Sequence, residues 1–242
     1  MKTPALIAAG LLLVAVVLAD LTFSPRYMRR VRAAVMSGDR AARTRMYRLT
    51  VVVTWWAALG AIAVMLGGGR SASEIGFGPP RVGTLERYAA PLAGAVLAIV
   101  AAGLAAVIAS RRGRARAVPL VGDVDVILPR GRTERRWFTL VAITAGITEE
   151  VFYRAFALTF LLAVLPGGRW SALLVAAVLF GAAHLYQGVG GVAITAVLAI
   201  LLGWLYLDTG SLLPGMVLHI LVDLRALLVR QPTETSRRAT SN

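Results

Sequence analysis

Cysteine is absent from the 242 residues, which excludes disulfides, thiolate metal ligands and a cysteine nucleophile. Histidine is nearly absent too, with two residues, and 12 acids stand against 26 basic residues. Lys2 is the single lysine among those. There is no organised serine nucleophile, no GxGxxG or Walker loop, no internal repeat, and no HExxH spacing of the soluble zinc proteases. What remains is apolar: 58% of the chain is hydrophobic and the mean hydropathy is +0.73. A soluble domain of this length could not bury that much apolar surface. The expected class is therefore an all-α, polytopic membrane bundle forming one domain.

Runs of about 20 apolar residues mark the spans. Seven are expected, at 5–19, 49–66, 89–110, 137–165, 170–186, 189–207 and 212–229. The first resembles a signal-peptide core ending at Asp20, but a thin basic flank and no small-x-small cleavage site favour a retained helix. The tail 231–242 is polar and expected to be disordered.

The net charge of +14 would suggest nucleic acid on a soluble protein. Here no stacking platform or RNA-binding motif accompanies it, so nucleic-acid binding is not expected. The arginines crowd between spans instead. Eight lie in a loop from Arg26 to Arg48 and eight more between Arg111 and Arg136. Seven spans put both loops and the C-terminal tail on one side, and the positive-inside rule makes that side cytoplasmic, with the N-terminus outside. Near-exclusive use of arginine over lysine, with abundant Ala, Val and Gly, suggests a GC-rich bacterial genome and hence the bacterial inner membrane.

Ionisable groups within spans are costly and are functional candidates by default. The fourth span carries Thr148-Glu149-Glu150-Val151-Phe152-Tyr153-Arg154. Glu150 and Arg154, four apart, share a helix face and can pair. Glu149 points about 100° away around the helix and is free for other work. A structural ion pair accounts for Glu150 and Arg154 but not for a second, adjacent carboxylate. Both histidines also lie in spans: His184 one turn after Phe180, and His219 one turn before Asp223. Such a set suits water activated by a base, with a donor for the oxyanion. It also suits a metal such as zinc assembled from several helices, with Glu149, His184, His219 and Asp223 as the ligands.

Taken in order, Glu149-Glu150-x-x-x-Arg154, Phe180-x-x-x-His184 and His219-x-x-x-Asp223 resemble the successive motifs of the CPBP family. That family contains the CAAX-processing endopeptidases and bacterial bacteriocin-processing or immunity-type membrane proteins. The resemblance covers residues 137–229; the first three spans carry no diagnostic motif. It implies a helical bundle with an internal cavity and hydrolysis of a peptide bond at the membrane; the expected topology and the depths of Glu149, His184 and His219 in their spans make that cavity open toward the cytoplasm. By position, Glu149 would be the general base and His184 would orient the attacking water. Glu150, Arg154 and Phe180 would support them, and His219 with the residue one turn on would form the oxyanion site. Asp223 departs from the eukaryotic enzymes, which have Asn there. An ionised Asp cannot donate to an oxyanion, so it must be protonated, orient His219 or bind a metal.

The implied partners are the lipid bilayer and a peptide or membrane-protein substrate: a prenylated C-terminus, a leader peptide or a membrane-protein tail. Two other classes use the same residues. One is a non-catalytic immunity-type or scaffold protein. The other is a proton-coupled transporter, which would show repeated halves and broken helices that this sequence lacks.

Overall fold

A computed structural model describes residues 3–81, 126–228 and scattered positions between 83 and 101. Nearly all of the expected third span, Arg111, Arg112, Arg114 and Arg116, and the tail 231–242 lie outside the described residues.

Every described element is helical. The first helix, α1 (Thr3–Met36), and α2 (Ala42–Gly67) are joined by a short turn. Next comes one continuous rod of three parts: α3 (Arg132–Glu150), a π-helical segment (Val151–Leu158) and α4 (Thr159–Val164). It is followed by α5 (Gly168–Ala183), a 3-10 turn at Leu185–Gln187, and α6 (Gly188–Thr209). Last are α7 (Leu213–Leu224) and a closing 3-10 turn at Arg225–Leu228.

Three of these segments, Thr3–Met36, Ala42–Gly67 and Leu185–Thr209, are long and apolar enough to cross a membrane. Their outward side chains are apolar as well. Ile7, Leu11, Val14 and Leu18 of α1 and Val52, Trp56 and Leu59 of α2 are exposed, which is how a helix facing lipid rather than water looks. Trp170 stacks on Trp204 with ring centroids 5.0 Å apart, and the Trp204 indole donates to the Tyr88 hydroxyl at 3.0 Å. Aromatic clusters of this kind mark a membrane–water boundary.

One expectation needs correction. The stretch from Arg26 to Arg48 is not a loop: α1 runs on through Arg26, Arg29, Arg30 and Arg32 to Met36, with Pro25 inside it, and α2 already includes Arg43, Arg45 and Arg48. Charge ends a hydropathy window but not a helix, because Arg, Ala and Met are all good helix formers. Only the turn at 37–41 is non-helical, where Asp39 pairs with Arg45. That guanidinium, together with the Ala41 backbone N–H, holds the Asp39 carboxyl below its usual range.

The two ends of the bundle are built differently. At the arginine-rich end, Arg43 donates from Nε to the Val126 carbonyl at 3.0 Å and lies 3.7 Å from Glu134, while the Tyr47 hydroxyl donates to Ile127 O at 2.5 Å. A small core of Val31, Met46, Tyr47, Val126, Phe138 and Ala142 closes beneath them. At the other end the loop after α2 docks on the α6–α7 turn. Leu212 N–H donates to Gly76 O at 3.0 Å, Arg81 N–H to Thr209 O at 2.9 Å, and the Ser211 hydroxyl to Gly78 O at 2.7 Å. The large core lies between, around the π segment, all of whose residues are buried.

α7 reaches α3 because both present glycine where they cross. A Cβ on Gly146 would sit 2.9 Å from the Ile220 backbone nitrogen, and a Cβ on Gly215 would sit 3.0 Å from Oε2 of Glu150. Contacts that short cannot be relieved by a rotamer change when the partner is backbone. The close approach therefore depends on these two residues, and it is what carries His219 to the acids of α3.

Candidate active site

Glu149 and Glu150 are the last two residues of α3, and the backbone widens into a π turn immediately after them. Such π turns are rare and concentrate at functional sites. Glu150 is 1% exposed, and both of its oxygens are engaged. Oε2 lies 3.1 Å from Arg154 Nε, and Oε1 accepts from Nδ1 of His219 at 2.8 Å. The expected Glu150–Arg154 pair is present, whereas the link to His219 on α7 had no counterpart in the motif spacing. Arg154, 2% exposed, lies over the Phe180 ring at 4.7 Å. Its two terminal nitrogens have no hydrogen-bond partner among the described residues, so the aromatic face compensates part of that burial.

Glu149 has a different environment. It lines a cavity of about 360 Å³ whose wall also holds Asp20, Tyr153, His184 and Tyr186, a size in the range of ligand pockets. Its Oε2 is buried without a hydrogen-bond partner among the described residues and lies 3.8 Å from Nε2 of His219. One glutamate is thus saturated and its neighbour is not.

His184 is the C-cap of α5. The last carbonyls of a helix lack intrahelical partners, and the His184 ring supplies one, with Nδ1 2.8 Å from Phe180 O. A ring that donates from Nδ1 in its neutral form keeps the Nε2 lone pair free as an acceptor. Phe180 is the packing centre: its ring meets His184 at 4.7 Å, Tyr153 at 4.9 Å edge-on and His219 at 6.0 Å edge-on.

His219 is 4% exposed and is not among the described residues that line the cavity; its Nε2 stands 3.8 Å from Oε2 of Glu149, which does line it. With Nδ1–H committed to Glu150, Nε2 accepts when the ring is neutral and donates when it is charged. Asp223 Oδ2 stands 3.9 Å from that Nε2, which suits orienting the ring better than contacting a substrate. The structure therefore gathers Glu149, Glu150, Arg154, Phe180, His184, His219 and Asp223 around one centre. Among the described residues no three His, Asp or Glu side chains are grouped closely enough to hold a metal ion.

Sequence reasoning overlooked Asp20. It lies within α1, lines the same cavity, and its Oδ2 accepts from the Tyr153 hydroxyl at 3.3 Å. The available signal is a lone acid closing a long apolar run, a position that bears above only on the choice between a signal peptide and a retained helix. Toward the arginine-rich end the cavity wall continues as Tyr27, Met28, Tyr47 and Ile127.

The fold and this centre define a class: a helical membrane protein with a cavity within its bundle whose largely apolar wall carries Asp20, Glu149 and His184. Residues 132–225 match the family described as type II CAAX prenyl endopeptidase Rce1-like. No curated protein and no solved structure matches the chain.

Proposed function

We propose that the protein is an intramembrane endopeptidase in which Glu149 activates water against a peptide carbonyl. The observation that carries this reading is the division between the two glutamates: Glu150 is consumed by Arg154 and His219, while Glu149 stands on the cavity wall with His184. A general base must have room for a water and an unspent lone pair, and Glu149 has both.

In this reading a water sits between Glu149 and the free Nε2 of His184. Glu149 takes its proton as the oxygen attacks the carbonyl carbon. Charged His219 donates from Nε2 to the oxyanion, in a dry site where such a donor is worth most. Glu150 supports that charge by accepting from Nδ1, and Asp223 orients the ring from its other side. As the C–N bond breaks, Glu149 returns its proton to the leaving amine, so acid and amine products form with the base restored. No metal enters these steps.

The apolar mouth of the cavity suits a substrate that is itself membrane-borne, a leader peptide or a membrane-protein tail. We place the arginine-rich end in the cytoplasm and the protein in a bacterial inner membrane, on the charge distribution and the arginine usage. The test is cleavage by the purified chain in detergent or vesicles. Substrates come from proteomic comparison of membranes with and without it. Substrate cleavage by wild type and none by Glu149→Gln supports the reading; equal cleavage by both removes it.

A further inference from the structure

Asp20 is the only acid in α1 and lies far outside the family-matched segment at 132–225. Nothing in the mechanism above uses it, although an acid within a membrane span is expensive to keep. Its one hydrogen bond among the described residues joins it to Tyr153. Tyr153 is 6% exposed and its ring is wedged edge-on between Phe152 and Phe180, with centroids at 5.2 and 4.9 Å. The packed ring sets where the hydroxyl oxygen sits, and rotation about the C–O bond decides where its proton points. Two acids line the same cavity wall as this hydroxyl: Asp20 on α1, which accepts its hydrogen bond, and Glu149, four residues earlier on the same rod.

Resting on the hydrolytic reading, we propose that Asp20 is a positioning residue for Glu149: by accepting the Tyr153 O–H it keeps that donor off the glutamate that activates water. A hydroxyl whose proton is committed to Asp20 presents only acceptor lone pairs to the rest of the cavity. Without Asp20 the same proton turns to Glu149. A carboxylate that accepts a hydrogen bond is a weaker base, because the bond stabilises its charged form. On this account α1 belongs to the active site even though it carries no family motif.

The arrangement predicts a sign reversal that a purely structural contact does not. Asp20→Ala loses about tenfold or more in kcat with KM little changed, in keeping with the size of a general-base contribution. Asp20→Glu, which restores an acceptor, regains part of the loss. Tyr153→Phe costs less than Asp20→Ala, and the double variant Asp20→Ala/Tyr153→Phe is faster than Asp20→Ala alone, because the misdirected donor is gone. Melting temperatures of the same four variants in detergent report whether each is folded. A wild type that cleaves with a double variant no faster than folded Asp20→Ala overturns this inference and leaves the hydrolytic reading standing. A wild type and Glu149→Gln that behave alike overturn the hydrolytic reading and this inference with it.

Discussion

The Nδ1 of His219 lies 2.8 Å from Oε1 of Glu150, joining residues 69 apart in the chain, while the other oxygen of the same carboxylate holds Arg154 at 3.1 Å. One buried acid thus fixes an arginine on its own helix and an imidazole on another.

Glu150→Gln should therefore be primarily a folding defect. The amide keeps the volume but leaves Arg154 and His219 facing a neutral group. Breaking a buried pair from one side costs about 3–5 kcal/mol. The melting temperature in detergent should fall by several degrees, and by more than for Glu149→Gln. If the two variants melt together, Glu150 is not the structural partner described here.

Gly215 and Gly146 should act at a distance from the chemistry. A methyl at Gly215 would press on Glu150 Oε2 from 3.0 Å, and one at Gly146 would press on the α7 backbone at Ile220. Overpacking of this kind typically costs about 1–3 kcal/mol, and here it also displaces His219. Both alanine variants should lose stability and activity together. Gly67→Ala, where nothing among the described residues lies within 4 Å, should change neither.

The absence of cysteine makes orientation directly measurable. Ser37 lies in the turn between α1 and α2, and Ala72 in the loop at the opposite end of the bundle; both are exposed. In intact cells a membrane-impermeant maleimide should label Ala72→Cys and spare Ser37→Cys until the membrane is permeabilised. The reverse pattern would invert the topology and direct the cavity away from the cytoplasm.

Much of this architecture was legible from composition because lipid imposes strict rules on what can span it. The Glu150–Arg154 pair followed from four-residue spacing alone. The freedom of Glu149 followed from its angle around the helix. The Glu150–His219 bond was not legible, because it depends on how closely two helices cross, and that is set by glycines whose role appears only in three dimensions. The π segment was not legible either, since Arg154 marks Val151–Leu158 as functional but nothing in its spacing signals a widened turn. Asp20 was visible as an odd acid, but its meaning required knowing that α1 packs beside the cavity. The arginine cluster after it was misplaced in a loop because hydropathy reports where lipid ends rather than where a helix does.

The central claim is that Glu149, and not Glu150, removes the proton from the attacking water. The most direct measurement is kcat for peptide cleavage by wild type, Glu149→Gln and Glu150→Gln, each at a temperature where it is shown to be folded. Loss of a general base costs about 10²–10⁴ in rate, so Glu149→Gln should be folded and lose at least a hundredfold, with Glu150→Gln retaining more activity once its lower melting temperature is respected. A folded Glu150→Gln that is inactive beside a Glu149→Gln that still cleaves would contradict the account and exchange the roles of the two carboxylates.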